Sequence, residues 1–379
     1  MNILHMDINC HYTEGMLYQD NALPKVNADD GHNVTIITDV YAYVNGKLEK
    51  VGVEDKIISG GIRLIRVEYD RILNDFVTRK IQKVSKIKKL LEEIRPDSIL
   101  YHGICGYELM DVAAYVKNNP HVLFYADSHE DFFNTARTPI AKFAYKYIHG
   151  YFVKKALPYI KKVLYLGEDV KIYLKEMYSI SDDILEFYPL GGFIEEEKKQ
   201  LQMRQSLIEE FNLPQDAIIC AHSGKMDAAK KTKELLEAFE SVDDERMYMF
   251  LFGSIPDDMK SVIMPLVEKS PRVFFLGWKN NKELVDILDG VDLYCQPGSM
   301  SATFQVSVCC GCATMLYPSI SYKKMMGRES FFVETKENIK NVFIEISRDR
   351  KCLNDLKART FEIAKQQFDY VKLARRIYV

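Results

Sequence analysis

Short apolar runs that end in glycine or a polar turn, each followed by a helical pattern, recur along this chain. That alternation restricts it to a parallel α/β architecture. Residues 2–9, with Ile3, Leu4, Met6 and Ile8, open the series. Residues 33–39, 98–101 and 121–126 continue it, and 218–224, 250–254, 273–277 and 291–294 repeat it in the second half. Parallel strands need a long crossover, and the intervening helices supply one. At 379 residues the chain has room for two lobes with separate cores. Open sheets of this kind place ligands outside the carboxyl ends of their strands, so the loops after these runs are where chemistry is sought.

The richest loop follows the strand 291–294. Pro297-Gly298-Ser299 breaks that strand, and a small-residue helix is predicted over 303–310. Ser299, Ser301 and Thr303 supply hydroxyls beside first-turn N–H groups, a setting for an anion. An ordinary capped helix accounts for the same residues. Upstream, Gly224 ends a strand, Lys225 and Lys230 flank the loop, and a helix is predicted over 232–239. Two ammonium groups at a strand's carboxyl end suit a diphosphate; a solvated charge run is the plainer reading. Cys309 and Cys312 form a C-x-x-C with no second pair or adjacent histidine, which favours helix packing over zinc.

In the first half, Gly15 sits in the loop before a helix predicted over 16–29, with Leu17, Ala22, Leu23 and Val26 on its apolar side. Tyr12, Tyr18, Gln19 and Asn21 add polar groups there. His102 and His129 fall at carboxyl ends of predicted strands. His129 with Asp127 and Asp131 can serve as a general base or orient a ligand hydroxyl. On its own, a lone His102 at a strand end is more often structural than catalytic. Residues 78–94 read as one basic amphipathic helix carrying Arg79, Lys80, Lys83, Lys86, Lys88 and Lys89. Residues 137–166 hold seven Lys and Arg and no Asp or Glu, interleaved with aromatic side chains. Both segments can pack an apolar face on the sheet, and together they can dock an anionic membrane surface.

A net charge of −3 argues against generic nucleic-acid binding. No apolar run reaches the ~18 residues of a membrane span, and the start lacks the pattern of a signal peptide, so a cytoplasmic protein is expected. Cysteines inside apolar runs suit reduced thiols.

Several pieces, in order, resemble family-four retaining glycosyltransferases of the GT-B fold. These are the first βα unit ending in Gly31-His32-Asn33, Tyr188-Pro189-Leu190-Gly191, Gly224-Lys225 with Lys230, Phe252-Gly253-Ser254, Gly277-Trp278-Lys279 and Phe368-Asp369-Tyr370. The resemblance implies two doubly wound Rossmann-like lobes with an interlobe cleft. It places an acceptor-side lobe over 1–191, a nucleotide-sugar lobe over 192–365, and a terminal helix over 366–379 crossing back to the first lobe.

It further implies transfer of a sugar from a nucleotide-diphosphate donor, with UDP or GDP, to a glycan or lipid-linked acceptor. Retention of configuration would be expected, with no cofactor or metal, in surface polysaccharide or glycoconjugate synthesis, peripheral to the inner face of the plasma membrane. Gly15, Gly224, Lys225, Lys230, Gly253, Ser254, Trp278, Lys279, Ser299, Ser301, Thr303 and Gln305 would meet the donor. Tyr12, Gln19, His102, Asp127 and His129 would lie on the acceptor side, and His129, Asp131, Lys225 and Lys230 would be catalytic. The family's Glu-x7-Glu carboxylates are missing, because no Asp or Glu lies between Asp292 and Glu329. Neutral hydrogen bonding from Gln305 and the hydroxyls would take their place, or the chain is a catalytically silent binding or scaffold subunit. A sugar-nucleotide epimerase would need the missing carboxylates.

Overall fold

The computed structural model describes residues 1–378 apart from Asn9, Leu17 and Asn45, with Phe76 and Lys80 described by backbone alone. The readings of Asn9 as strand, Leu17 as an apolar helix position and Lys80 as part of a basic face lie outside the described residues.

The chain divides into two units, one made of Met1–Pro189 with Tyr370–Val379 and the other of Leu190–Asp369. In the first, β1 (Asn2–Asp7), β2 (Asn33–Asp39), β5 (Glu54–Ile57), β6 (Arg63–Val67), β7 (Ser98–Tyr101), β8 (Leu123–Ser128), β9 (Lys162–Tyr165) and β10 (Leu185–Phe187) form one sheet. Its order is β10-β9-β8-β7-β1-β2-β6-β5. Every pairing is parallel except that of β5 with β6. A separate antiparallel pair joins β3 (Tyr41–Val44) to β4 (Lys47–Lys50). In the second unit, β11 (Ile218–Lys225), β12 (Met247–Ser254), β13 (Val273–Phe275), β14 (Leu293–Gln296), β15 (Ala313–Leu316) and β16 (Phe331–Phe332) form a parallel sheet in the order β13-β12-β11-β14-β15-β16.

The central strands are buried on both faces. Residues 218–222 of β11 and all of β14 are inaccessible, as expected of parallel strands with helices above and below. The second core gathers Ile218, Cys220, Leu236, Phe239, Met249, Leu293 and Phe343. Cys309 and Cys312 are buried thiols that donate to the Phe368 and Leu288 carbonyls.

Two helical predictions need correction. The first helix begins at Gln19, not at residue 16. The basic segment 78–94 is not one helix: Asp75–Ile81 ends in a left-handed Gln82 (φ 54), and a new helix runs Ile87–Ile94. The break has a cause in the core. Val84 is buried, and its N–H donates at 2.7 Å to the buried Glu108 carboxylate. A helical Val84 would direct that N–H along the helix axis instead.

Candidate functional site

In the second sheet the chain adds β12 and β13 on one side of β11, then returns to place β14, β15 and β16 on the other. The order reverses between β11 and β14, which opens a crevice beyond their carboxyl ends. Gly224 and Lys225 end β11, and Gln296 ends β14. Glycine lets the backbones around this point approach closely. A Cβ on Gly298 would lie 2.1 Å from the Ala229 carbonyl oxygen, and one on Gly253 would lie 2.1 Å from that of Gly224. The Ser299 N–H then reaches the Ala229 carbonyl at 2.8 Å, tying the β14 loop to the β11 loop.

Lys230 lies in the turn Ala228–Lys230, whose start is capped by Asp227. Its side chain is buried, and its Nζ donates to the carbonyls of Ser299 (3.2 Å) and Met300 (3.1 Å). No carboxylate lies within ion-pair distance of Nζ among the described residues. Burial lowers its pKa. An ammonium has three N–H donors, so two carbonyls leave one unspent. A chain of bonds fixes the loop from beneath: Ser223 Oγ lies 2.8 Å from Tyr294 Oη, which donates to Gln296 Oε1, whose amide donates to the Ser299 carbonyl. His222, unforeseen as a site-supporting residue, pins β14 to the next helix. Its ring nitrogens lie 2.8 Å from the Cys295 carbonyl and 2.9 Å from Thr232 Oγ1, and burial lowers its pKa to about 4.

Ser301 accepts from the Thr303 N–H and shares a hydroxyl contact of 3.3 Å with Thr303. Gln305 is buried on the helix Thr303–Cys309, and its Oε1 has no partner among the described residues. Lys225 and Ser254 are exposed at the ends of β11 and β12. The Gly253 N–H donates to the Gly277 carbonyl at 2.8 Å, beside a Trp278 that is 72% exposed and a half-buried Lys279. The structure thus joins Gly224, Lys230, Gly298 and Ser299, and leaves Lys225 in solvent.

The first sheet has its own reversal, between β1 and β7. His102, just past β7, is buried, with Nδ1 2.7 Å from Asp127 Oδ2 and 3.3 Å from Asp20 Oδ1. Burial opposes its charge, but Asp127 and Asp20 outweigh burial and raise its pKa to about 10. As an imidazolium it donates from both nitrogens. Its Nε2 reaches His5 Nδ1 at 3.2 Å, and burial followed by the His102 charge holds His5 neutral, with a pKa of about 3. The remaining His5 proton therefore sits on Nε2 and points to Asn27 Oδ1 at 2.8 Å, while Asn27 Nδ2 donates to the Ala374 carbonyl. Asp127 also accepts from the Gly103 N–H at 2.8 Å, and His102 helps hold it ionised against burial.

Around this network stand buried groups with hydrogen-bonding capacity left over. Both carboxylate oxygens of Asp7, both amide atoms of Gln19, Oδ1 of Asp20 and Nε2 of His129 make no hydrogen bond among the described residues. His129 Nε2 lies 3.8 Å from Asp127 Oδ1. Asp7, Asp20 and His5 were missed in the sequence because each is an isolated polar residue that only the fold brings to one point. Two expected residues go elsewhere. Asp131 turns its carboxylate onto the Phe133 and Asn134 N–H groups at 2.7 Å each, closing a local turn. Tyr12 packs with Val34, Ile36, Ile62 and Leu64. Gly15 adopts φ 79 in the loop after β1, with open space where a Cβ would be.

Solved structures share this architecture over their whole length. HepE from Anabaena, crystallised in complex with UDP, superposes with a TM-score of 0.67 at 13% identity, over 100% of this chain and 98% of that one. The fold is GT-B. A glycosyltransferase from Rickettsia africae superposes at 0.67 with 14% identity, over 99% of this chain and 96% of its own. Sucrose-phosphate synthase from Thermosynechococcus elongatus gives 0.65 and 14% over the same shares. No protein-family model matches the sequence, and no curated protein matches it. At these identities the likeness speaks for the GT-B architecture alone. No helix among the described residues is long and apolar enough to cross a membrane.

Proposed function

We propose that this GT-B chain is a glycosyltransferase that moves a sugar from a nucleoside-diphosphate donor, UDP- or GDP-linked, to a glycan or lipid-linked acceptor. Lys230 carries the reading. It is a buried ammonium without a carboxylate partner, held by two carbonyls at the switch point of the second sheet with one N–H still to donate. A buried cation in that state is matched by a bound anion. As the bond from the anomeric carbon to the phosphate oxygen breaks, its electron pair moves to the diphosphate. The ammonium, with the Ser301 and Thr303 hydroxyls, then meets more charge in the transition state than in the ground state. Gln305 Oε1 offers an acceptor to a ribose or sugar hydroxyl in place of a carboxylate. His129, Gln19 and the Asp127–His102 pair would meet hydroxyls of the acceptor or transferred sugar. Retention and a role in surface-glycan synthesis belong to the same reading by resemblance.

Titration calorimetry with UDP and GDP, followed by assay of nucleoside diphosphate released when nucleotide sugar and acceptor are both present, tests it. Binding with acceptor-dependent release is expected. Failure of both nucleotides to bind overturns the diphosphate site. Binding without release under a broad acceptor screen favours the scaffold reading, which the stretch without carboxylates between Asp292 and Glu329 keeps in view.

A further inference from the structure

We propose that the helical segment from Pro139 to Ala156 in the first unit docks on an anionic lipid bilayer. This is independent of any nucleotide site in the second unit. The segment runs as a helix Pro139–Phe143, a wide turn Ala144–His149 and a helix Gly150–Ala156. One side is spent on the protein interior, where Phe152, Val153 and Ala156 are buried. The other side is apolar as well and faces water. Ile140 is 83% exposed, Phe143 62% and Tyr147 60%, with Tyr151, Ile148 and the nearby Phe133 also exposed. The rings of Phe143 and Tyr147 lie 4.7 Å apart, so the outward side chains are contiguous. Side chains of this size exposed together mark a docking surface, while scattered single ones need no explanation.

Charge selects the occupant. Lys142, Lys146, Lys154 and Lys155 are exposed among these side chains, and residues 137–166 contain no Asp or Glu to neutralise them. The Lys155 ammonium lies over the Tyr151 ring at 5.7 Å. An amphipathic helix with bulky apolar groups and lysines on the same outward side is built for the bilayer interface, where rings enter the acyl boundary and ammoniums meet lipid phosphates. The other basic segment does not share this build. Between Lys83 and Ile94 the side chains of Val84, Ile87 and Leu91 are buried, and Lys88 pairs with Asp111 at 3.4 Å. The docking surface is therefore confined to residues 133–155.

The test is sedimentation of the full chain with vesicles of phosphatidylcholine, with and without phosphatidylglycerol. Binding only to the anionic vesicles, weakened by added salt, is expected. Two variants separate the contributions. Lys142→Gln with Lys146→Gln, Lys154→Gln and Lys155→Gln should lower partitioning at least about tenfold. Ile140→Ser with Phe143→Ser and Tyr147→Ser should do so at unchanged charge. All these side chains are exposed, so melting temperature and nucleotide affinity should stay at wild-type values. Equal binding to neutral and anionic vesicles, or variants that sediment like wild type, overturns the proposal. So does a wild-type dimer in light scattering that the serine variant dissolves without any vesicle binding, since the face would then join two copies of the chain.

Discussion

Lys230 shows how one residue can be read by its unsatisfied capacity. Replacing it with methionine keeps most of the stem and removes the charge. Because the ammonium is buried without a counter-ion, Lys230→Met should leave the free protein's melting temperature unchanged or raised. The same change should lower nucleoside-diphosphate affinity by about 10- to 100-fold, the worth of one or two charged hydrogen bonds. Calorimetry and thermal melts on the same samples check both arms. His222 gives a pH prediction. Its folded pKa of about 4 lies below the ordinary histidine value, so the unfolded chain binds the proton first as pH falls. Stability should therefore drop between about pH 6.5 and 4, by up to ~3 kcal/mol from this group. His222→Asn should flatten that part of the curve in urea titrations. In the first unit His102 acts in the opposite sense. Its folded pKa is raised to about 10, so its contribution is complete below about pH 6.5 and declines as pH climbs towards 10.

Among elements, the apolar central strands such as β1, β2, β7, β11 and β14 and the loops at their carboxyl ends were legible, because period and punctuation are local properties, whereas β3, β4, β5, β6, β9 and β10 were not. The meeting of the Lys230 loop with the Ser299 turn was legible for the same reason: both follow strands that become neighbours in a doubly wound sheet. The break at Gln82 was not, because its cause is the Glu108 carboxylate, 24 residues beyond the Val84 N–H that it accepts. Nor was the gathering of His5 and Asp7 on β1 with Asp20 on the helix Gln19–Asp29 and Asp127 on β8. Asp292, just before β14, is a further case. It meets Arg204 at 2.8 Å, Lys357 at 2.9 Å and the Ile219 N–H at 2.9 Å while almost fully buried, and despite burial these cations hold its pKa near 2. Asp292→Asn leaves those cations without a carboxylate beside the sheet and should destabilise the protein by about 3–5 kcal/mol, measured by denaturant unfolding.

At the scale of the molecule, the segment Tyr370–Val379 belongs to the first unit although 180 residues of the second precede it. Leu373, Ala374 and Ile377 are buried there, Tyr188 Oη donates to the Leu373 carbonyl at 2.9 Å, and Arg375 forms a paired bond to Asp30. Deleting residues 370–379 should destabilise the first unit by about 3–6 kcal/mol from lost apolar burial alone. The second unit, read by near-ultraviolet signals around Trp278, should keep its own transition.

The same closure fixes an order of events on the ribosome. Residues 1–189 emerge without the helix Tyr370–Arg375 that packs against the helix Gln19–Asp29, whereas residues 190–369 carry everything their core requires. The unit translated second is therefore the one completed first, and the unit translated first waits, with apolar surface uncovered, for residues 370–379 to be made.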